Sequence, residues 1–322
     1  MDGFYARDFL ETSEGLIFAV VINGADESGV YCFLRYVDED DRYRKVTTPE
    51  ANTRIERYHP EYLFYAKQWD TYLHKIPLDR IQNHFRPRER LQVLLESDPA
   101  DNVEASLIDL LHMLEKRQID LGSLGVTGSI LIGAHSEKSD IDLVVYDRKE
   151  FHGLRNIVKS LIVENKLQAL DDNFWFSTYE RRGCALGLSE YIWHERRKYN
   201  KAVINGVKFD ISFVDTKMIP DMTPYRKSGK TVLVSTITDD QWAFDCPARY
   251  FVSDDKIKEV VSFTPTYVGQ GRKDEQIEAA GWLEVSESGQ QRLVIGSSRE
   301  ATGEYIKVVN QFPENKNEEK FV

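Results

Sequence analysis

The chain is poor in cysteine. Among its 322 residues only Cys32, Cys184 and Cys246 occur, far apart and without CxxC spacing. That pattern excludes a disulfide framework and a thiolate zinc centre, and marks each thiol as a small core hydrophobe. Long apolar runs are also missing: no stretch approaches the ~18 consecutive apolar residues of a membrane helix. The opening MDGFYARDFLETSEG carries acidic residues and no apolar stretch, unlike a secretory signal. The expectation is a cytoplasmic protein with no membrane partner. Positive charge is short as well, with 42 Lys and Arg against 53 Asp and Glu, a net charge of −11. A strongly basic nucleic-acid coat is therefore disfavoured. What is present is a 41% hydrophobic content, enough for packed cores and against wholesale disorder. The length suggests about two or three domains.

Patterning divides the chain into three regions and a tail. Residues 1–98 begin with alternating strand-like runs, Leu16–Ile22 and Val30–Val37, separated by an Asn23-Gly24 turn. The acidic run Asp38–Asp41 lacks EF-hand spacing and reads as a solvated hairpin turn. From about Tyr58 the region reads as irregular or helical, with a basic cluster of Arg80, His84, Arg86, Arg88 and Arg90. Residues 99–218 have αβαβ character. Leu107, Leu110, Leu111 and Leu114 fall at helical spacing, a second helix is expected over Glu150–Glu164, and a third over Ser189–Tyr199 with Ser189 as its N-cap. Residues 219–312 hold short strand candidates separated by glycine turns, as in a small β-barrel or sandwich. The tail 313–322, PENKNEEKFV, is polar and is expected to fray. The fold class is α+β: a mixed sheet with helices, between an N-terminal β-rich accessory region and a C-terminal β region.

One stretch carries chemistry. Gly128-Ser129 follows a short apolar strand candidate and precedes Ile130–Gly133, a possible helical turn. Such a turn lets backbone N–H groups, and the Ser hydroxyl, approach a phosphate. Asp140-Ile-Asp142-Leu-Val-Val follows. Residues two apart on a strand share a face, so Asp140 and Asp142 lie side by side while Ile141, Leu143 and Val145 face a core. Adjacent carboxylates repel unless a cation joins them, and a hard ion such as Mg²⁺ suits carboxylate and phosphate oxygens. Val-Lys-Phe-Asp-Ile-Ser-Phe at 207–213 alternates in the same way and puts Asp210 on a polar strand face. If the two strands are neighbours, three carboxylates can hold two Mg²⁺ ions in the arrangement that clamps an in-line phosphoryl displacement. Asp210 would lie nearest an acceptor hydroxyl and act as its base.

Gly128-Ser129, the spaced Asp140-x-Asp142 and the later Asp210 resemble the signature of the DNA polymerase β-like nucleotidyltransferase superfamily, in particular the archaeal-type predicted nucleotidyltransferases. The likeness covers about 120 residues. It implies a mixed sheet with flanking helices, Mg²⁺, a nucleoside triphosphate, and transfer of a nucleoside monophosphate to a hydroxyl with release of pyrophosphate. In that reading Asp140, Asp142 and Asp210 are catalytic and bind metal, while Gly128 and Ser129 hold the β- and γ-phosphates. Many members carry an Arg-Gly pair just after the Gly-Ser; here the positions read Ile132-Gly133-Ala134. The triphosphate's positive partner must come from elsewhere. Candidates are Lys138, Arg196 and Arg197, with Ser139 placed either to orient Asp140 or as a turn residue.

The acceptor can be an RNA end, a protein side chain or a small molecule, with RNA favoured by analogy to small β domains that bind single strands. The alternative is a non-catalytic nucleotide sensor or RNA-binding protein using the same pocket. A glycosyltransferase also uses Asp-x-Asp with a metal, but has no need of the upstream Gly-Ser. By region the net charge is −5 over 1–98, −2 over 99–218 and −4 over 219–322. Without its three aspartates the middle region is +1, and with two Mg²⁺ ions it is +2. Attraction to phosphate should thus depend on metal: titrations of nucleotide and of RNA with and without EDTA are expected to show weak binding in the chelator. Tight metal-free RNA binding contradicts this expectation.

Overall fold

The computed structural model describes residues 3–40, 42–296 and 301–309. Its contacts define two compact units, one of residues 1–170 with 199–224, the other of residues 171–198 with 225–322.

The first unit opens with a seven-stranded sheet. Strands β1 (Phe9–Thr12), β2 (Leu16–Val20), β3 (Val30–Glu39), β4 (Arg42–Lys45), β5 (Leu63–Ala66), β6 (Thr71–Ile76) and β7 (Ile81–Phe85) are arranged β5-β6-β3-β2-β1-β7, with β4 on β3. Alternation drives it: Leu16, Phe18, Val20, Val30, Cys32 and Leu34 are fully or nearly fully buried in one core. Helix α1 (Thr48–Tyr58) closes that core with Ala51 and Ile55, and a Thr47–Glu50 capping box starts it. Of the acidic run, Asp38 and Glu39 end β3 and pair with β4 in a hairpin, Asp38 opposite Tyr43 and Glu39 opposite Arg42. The stretch after Tyr58 corrects the sequence expectation. It supplies three strands before helix α2 (Pro87–Leu95). These strands are four to six residues long and mostly half-exposed, so their alternation is too weak to read.

A second, four-stranded sheet follows in the same unit. Strands β8 (Leu124–Thr127), β9 (Ile141–Val145), β10 (Lys201–Ile204) and β11 (Val207–Phe213) are ordered β10-β11-β9-β8. β9 and β11 are parallel and the other pairs antiparallel, so this sheet is mixed. Helices α3 (Asn102–Glu115) and α4 (Arg148–Val163) accompany it, capped by Asp101 and Asp147. Gly125 on β8 admits α2: a Cβ there would lie 2.7 Å from the Pro87 ring and 2.8 Å from its carbonyl carbon.

The second unit holds α5 (Asp172–Arg182), α6 (Leu188–Arg196) and six strands, β12 (Tyr225–Asp239), β13 (Ala248–Val252), β14 (Ile257–Ser262), β15 (Gln276–Ser286), β16 (Gln291–Ile295) and β17 (Tyr305–Val308). Pairing runs β12-β13-β14-β16-β15 and returns from β15 to β12, with β17 beside β15. The helix expected over Ser189–Tyr199 is capped two residues earlier, by Gly187, whose N–H donates to the Glu190 carboxylate, and ends at Arg196. The tail 313–322 lies outside the described residues. Among the described residues no helix is long and apolar enough to cross a membrane.

Each unit contains a buried neutral histidine. His74 Nδ1 accepts from the Leu34 N–H (3.1 Å) while its ring stacks on Phe33. His194 bonds the Glu190 carbonyl through Nδ1 (2.7 Å) and accepts the Val308 N–H at Nε2 (3.0 Å), which ties α6 to β17. Burial pushes both down to about 4. An unfolded chain takes up these protons near pH 6.5, so the stability each imidazole contributes is present above that pH and is lost as pH falls through about 4. Each accounts for up to roughly 3 kcal/mol. Proton NMR of the folded protein should find both rings neutral at pH 5.5, and denaturant midpoints should fall between pH 6.5 and 4. An imidazole titrating near 6.5 refutes its assignment.

Candidate active site

The site is built on the second sheet of the first unit. Strand β8 is fully buried and ends at Thr127. Gly128 then turns the chain at φ +70°, and a Cβ there would sit 2.4 Å from Asp142 Oδ2. Glycine at 128 therefore serves two needs, a left-handed backbone and open space above a carboxylate. The chain continues as a turn and not a helix: Gly133 N–H donates to the Ile130 carbonyl (3.2 Å) and Ala134 N–H to the Ser129 carbonyl (2.8 Å). Leu131 and Ile132 from this turn are buried against Phe9, Ile17 and Tyr36 of the first sheet.

Part of the basic cluster holds the same turn. Arg90 Nε donates to the Ile130 carbonyl (3.1 Å) and its Nη2 to Glu104 (3.1 Å). His135 sits 3.1 Å from Asp101 and 3.7 Å from Glu104, and is buried. Three other members are engaged elsewhere: His84 with Asp8, Arg86 with Glu89, and Arg88 over the Tyr146 ring. Further along, the Ser139 hydroxyl accepts the Ser136 N–H (3.0 Å), closing the loop before β9, while Lys138 stays exposed. Ser139 is thus engaged as a turn residue.

Register assembles the carboxylates. Parallel pairing sets Asp210 directly opposite Asp142, antiparallel pairing sets Thr127 opposite Asp142, and Lys201 faces Asp210. One row across the sheet reads Lys201, Asp210, Asp142, Thr127. Asp140 precedes Asp142 by two residues and forms an ion pair with Lys208, a buried lysine two residues before Asp210. Lys201 Nζ lies 3.8 Å from Asp210 Oδ2, and Asn200 Nδ2 donates to Asp210 Oδ1 (3.3 Å) and to the Ile211 carbonyl (3.2 Å). Lysines thus partner the two outer carboxylates. Asp142 is pushed up to about 6, chiefly by burial and then by the neighbouring charge of Asp210, with Asp140 adding to it; Arg7 and Lys208 oppose the rise.

Gly128, Ser129, Asp140, Asp142 and Asp210 come together in this unit. Arg196 and Arg197 belong to the other, where Arg196 pairs with Asp172 (3.1 Å) and Arg197 pairs with Glu275 and lies 4.4 Å over the Trp193 ring. Among the described residues no group of three or more His, Cys, Asp or Glu side chains is drawn in to the distances of a formed metal cage. The donor set nonetheless fits a divalent cation. Asp142 carries a negative charge that the chain leaves undercompensated, its register partner is a second carboxylate, and Gly128 keeps the space above its Oδ2 clear. Lys208, Asn200 and Thr127 were not among the sequence candidates for this site, whereas Lys201 was weighed with the neighbouring arginines as a triphosphate or acceptor contact. The signal for Lys208 was its alternation with Asp210 on β11.

Comparison with known proteins agrees with this geometry. Residues 110–200 match the family model described as the nucleotidyltransferase domain, a span that holds Gly128-Ser129, Asp140 and Asp142 and stops short of Asp210. The chain belongs to the DNA polymerase β-like nucleotidyltransferase superfamily. It is similar to the uncharacterized protein MJ1086 of Methanocaldococcus jannaschii, at 34% identity over 335 aligned positions, 94% of this chain and 98% of that one. No solved structure matches.

The raised Asp142 makes a stability prediction. Its folded value lies above the ordinary 3.8, so the folded state holds the proton more tightly and stability declines as pH rises from about 4 through about 6. Above that range the ionised group costs the metal-free fold up to about 3 kcal/mol. Asp142→Asn should therefore stabilise the protein in EDTA at pH 7.5 by about 1–3 kcal/mol, as read by urea denaturation. A net loss of stability would show that the carboxylate is compensated after all.

Proposed function

We propose that the protein transfers a nucleoside monophosphate from a nucleoside triphosphate to a hydroxyl acceptor and releases pyrophosphate, with Mg²⁺. The observation that carries this reading is the in-register pair Asp142–Asp210 beside Gly128, with Asp140 two residues upstream, just before β9 begins. Asp140, Asp142 and Asp210 would hold magnesium, which supplies Lewis acidity toward phosphate oxygens and acidifies the attacking hydroxyl. Backbone N–H groups and the hydroxyl at Gly128-Ser129 hold the β- and γ-phosphates, and Lys138 on the adjoining loop adds a cation. Asp210 takes the proton from the acceptor hydroxyl. The acceptor oxygen then bonds the α-phosphorus as the bond from that phosphorus to the α–β bridging oxygen breaks, and pyrophosphate leaves with the electron pair. Arg196, paired with Asp172, and Arg197, paired with Glu275, are assigned no role in this step.

Residues 1–98 and 219–312 recognise the acceptor in this reading, and an RNA end is the favoured class. One observation speaks for the alternative, a non-catalytic sensor: Lys208 and Lys201 already neutralise Asp140 and Asp210. The two readings separate in one experiment. The protein is incubated with each labelled triphosphate, Mg²⁺ and total cell extract, and label is sought on RNA and on protein. Transfer and pyrophosphate release that vanish in the Asp140→Ala/Asp142→Ala variant are expected. Saturable binding with no pyrophosphate supports the sensor, and transfer equal to that of the double variant sinks the enzyme reading.

A further inference from the structure

The turn after Gly128-Ser129 has no arginine of its own; Arg90, bonded to its Ile130 carbonyl, is held by Glu104, His135 is held by Asp101 and Glu104, and Lys138 stands exposed on the adjoining loop. A polyphosphate in this site still needs a cation close to Asp142. The neighbouring lysines are engaged, Lys208 by Asp140 and Lys201 by Asp210. A further cation, Arg7, is carried by the N-terminal segment Tyr5–Asp8, whose backbone is fastened beside the site. Ala6 packs against Val144 on β9 and against Val214. The Arg7 carbonyl accepts a hydrogen bond from the Thr127 hydroxyl (2.8 Å), and Thr127 is the register partner of Asp142.

We propose that Arg7 is the polyphosphate-binding cation of this site, standing in for the arginine that the Gly-Ser turn lacks. The assignment rests on the transferase reading and deepens it. Three further observations bear on it. First, Arg7 is half-buried and makes no ion pair with a carboxylate among the described residues, although Asp8 beside it pairs with His84. Second, Arg7 has φ +81°, a left-handed backbone in which a side chain is strained. Glycine would fit at less cost, so a strained arginine here has a reason other than folding. Third, the segment is fastened on both sides of Arg7. Its N–H donates to the Val20 carbonyl (3.1 Å), Ala6 N–H donates to Asn23 Oδ1 (2.9 Å), and Tyr5 N–H donates to Asp8 (3.0 Å). A fixed backbone delivers the guanidinium without the ordering cost of a loose chain.

The test uses inorganic tripolyphosphate with MgCl₂ as a base-independent probe, titrated calorimetrically into the full chain, with thermal unfolding measured alongside. Arg7→Gly should fold with an unchanged or higher unfolding temperature, because the strain is removed, yet bind tripolyphosphate about 10- to 100-fold more weakly. Arg7→Lys should recover part of the loss. Tripolyphosphate binding by Arg7→Gly equal to the unaltered protein overturns the assignment and leaves the transferase reading standing. A loss that follows a fall in unfolding temperature overturns it in favour of a structural role. If the unaltered protein binds neither tripolyphosphate nor any of the four nucleoside triphosphates, both readings fall.

Discussion

The parallel pairing of β9 with β11 is the constraint on which the site depends. Each strand buries every second side chain, Ile141, Leu143 and Val145 on one and Phe209, Ile211 and Phe213 on the other. A slip of one residue by either strand would turn its three apolar side chains to the other face and its aspartate into the core. Three such side chains are worth roughly 4.5–9 kcal/mol at the usual 1.5–3 kcal/mol each, above the few kcal/mol that an ionised Asp142 costs. Apolar burial thus forces Asp142 and Asp210 side by side against their mutual repulsion.

The repulsion is not met evenly, and the unevenness has chemical content. Lys208 answers Asp140 and Lys201 answers Asp210, leaving the middle of the row as the place where positive charge is still wanted. Directly above that place Gly128 removes a Cβ, and the turn that follows is held from two directions. Leu131 and Ile132 are buried in the first sheet, and Arg90 grips the Ile130 carbonyl while bonded to Glu104. A turn fixed by apolar packing on one side and a charged hydrogen bond on the other presents its N–H groups in one orientation, which is what preorganised recognition of an anion requires. The N-terminal sheet is therefore part of what shapes the site.

Much of this was legible in the sequence because its signals are local. Gly128-Ser129 is a contiguous turn, Asp140-x-Asp142 a period-two pattern, and Asp210 the polar interruption of Val207–Phe213; each is readable without knowing what lies opposite. The helix over Arg148–Val163 and most C-terminal strands carried equally local periodicity. What was not legible depends on pairing. Lys201 acquires meaning only because β10 places it across from Asp210, and Thr127 only because β8 places it across from Asp142. Arg7 lies 133 residues before Asp140 and carries no motif. The three strands after Tyr58 were missed because they are short and half-exposed, so charge and turn residues outweigh their alternation.

The acidic surplus takes its proper scale from this geometry. A net charge of −11 spread over 322 residues acts at distances where salt screens it, since the Debye length is about 8 Å at physiological ionic strength. A phosphate approaching Gly128-Ser129 responds instead to the few charges within that length. There the three aspartates are set against Lys201 and Lys208, each in an ion pair, with Arg7 acting on Asp142 and Lys138 on the adjoining loop. The two lysines are held by the outer aspartates, which leaves Asp142 as the negative centre and Arg7 as the positive one. A ligand that brings both a divalent cation and a polyanion, as a magnesium-chelated triphosphate does, satisfies the two at once, whereas a bare cation or a bare anion satisfies one. The local charge pattern therefore favours the metal–polyphosphate pair over either component, whatever the sign of the molecule as a whole.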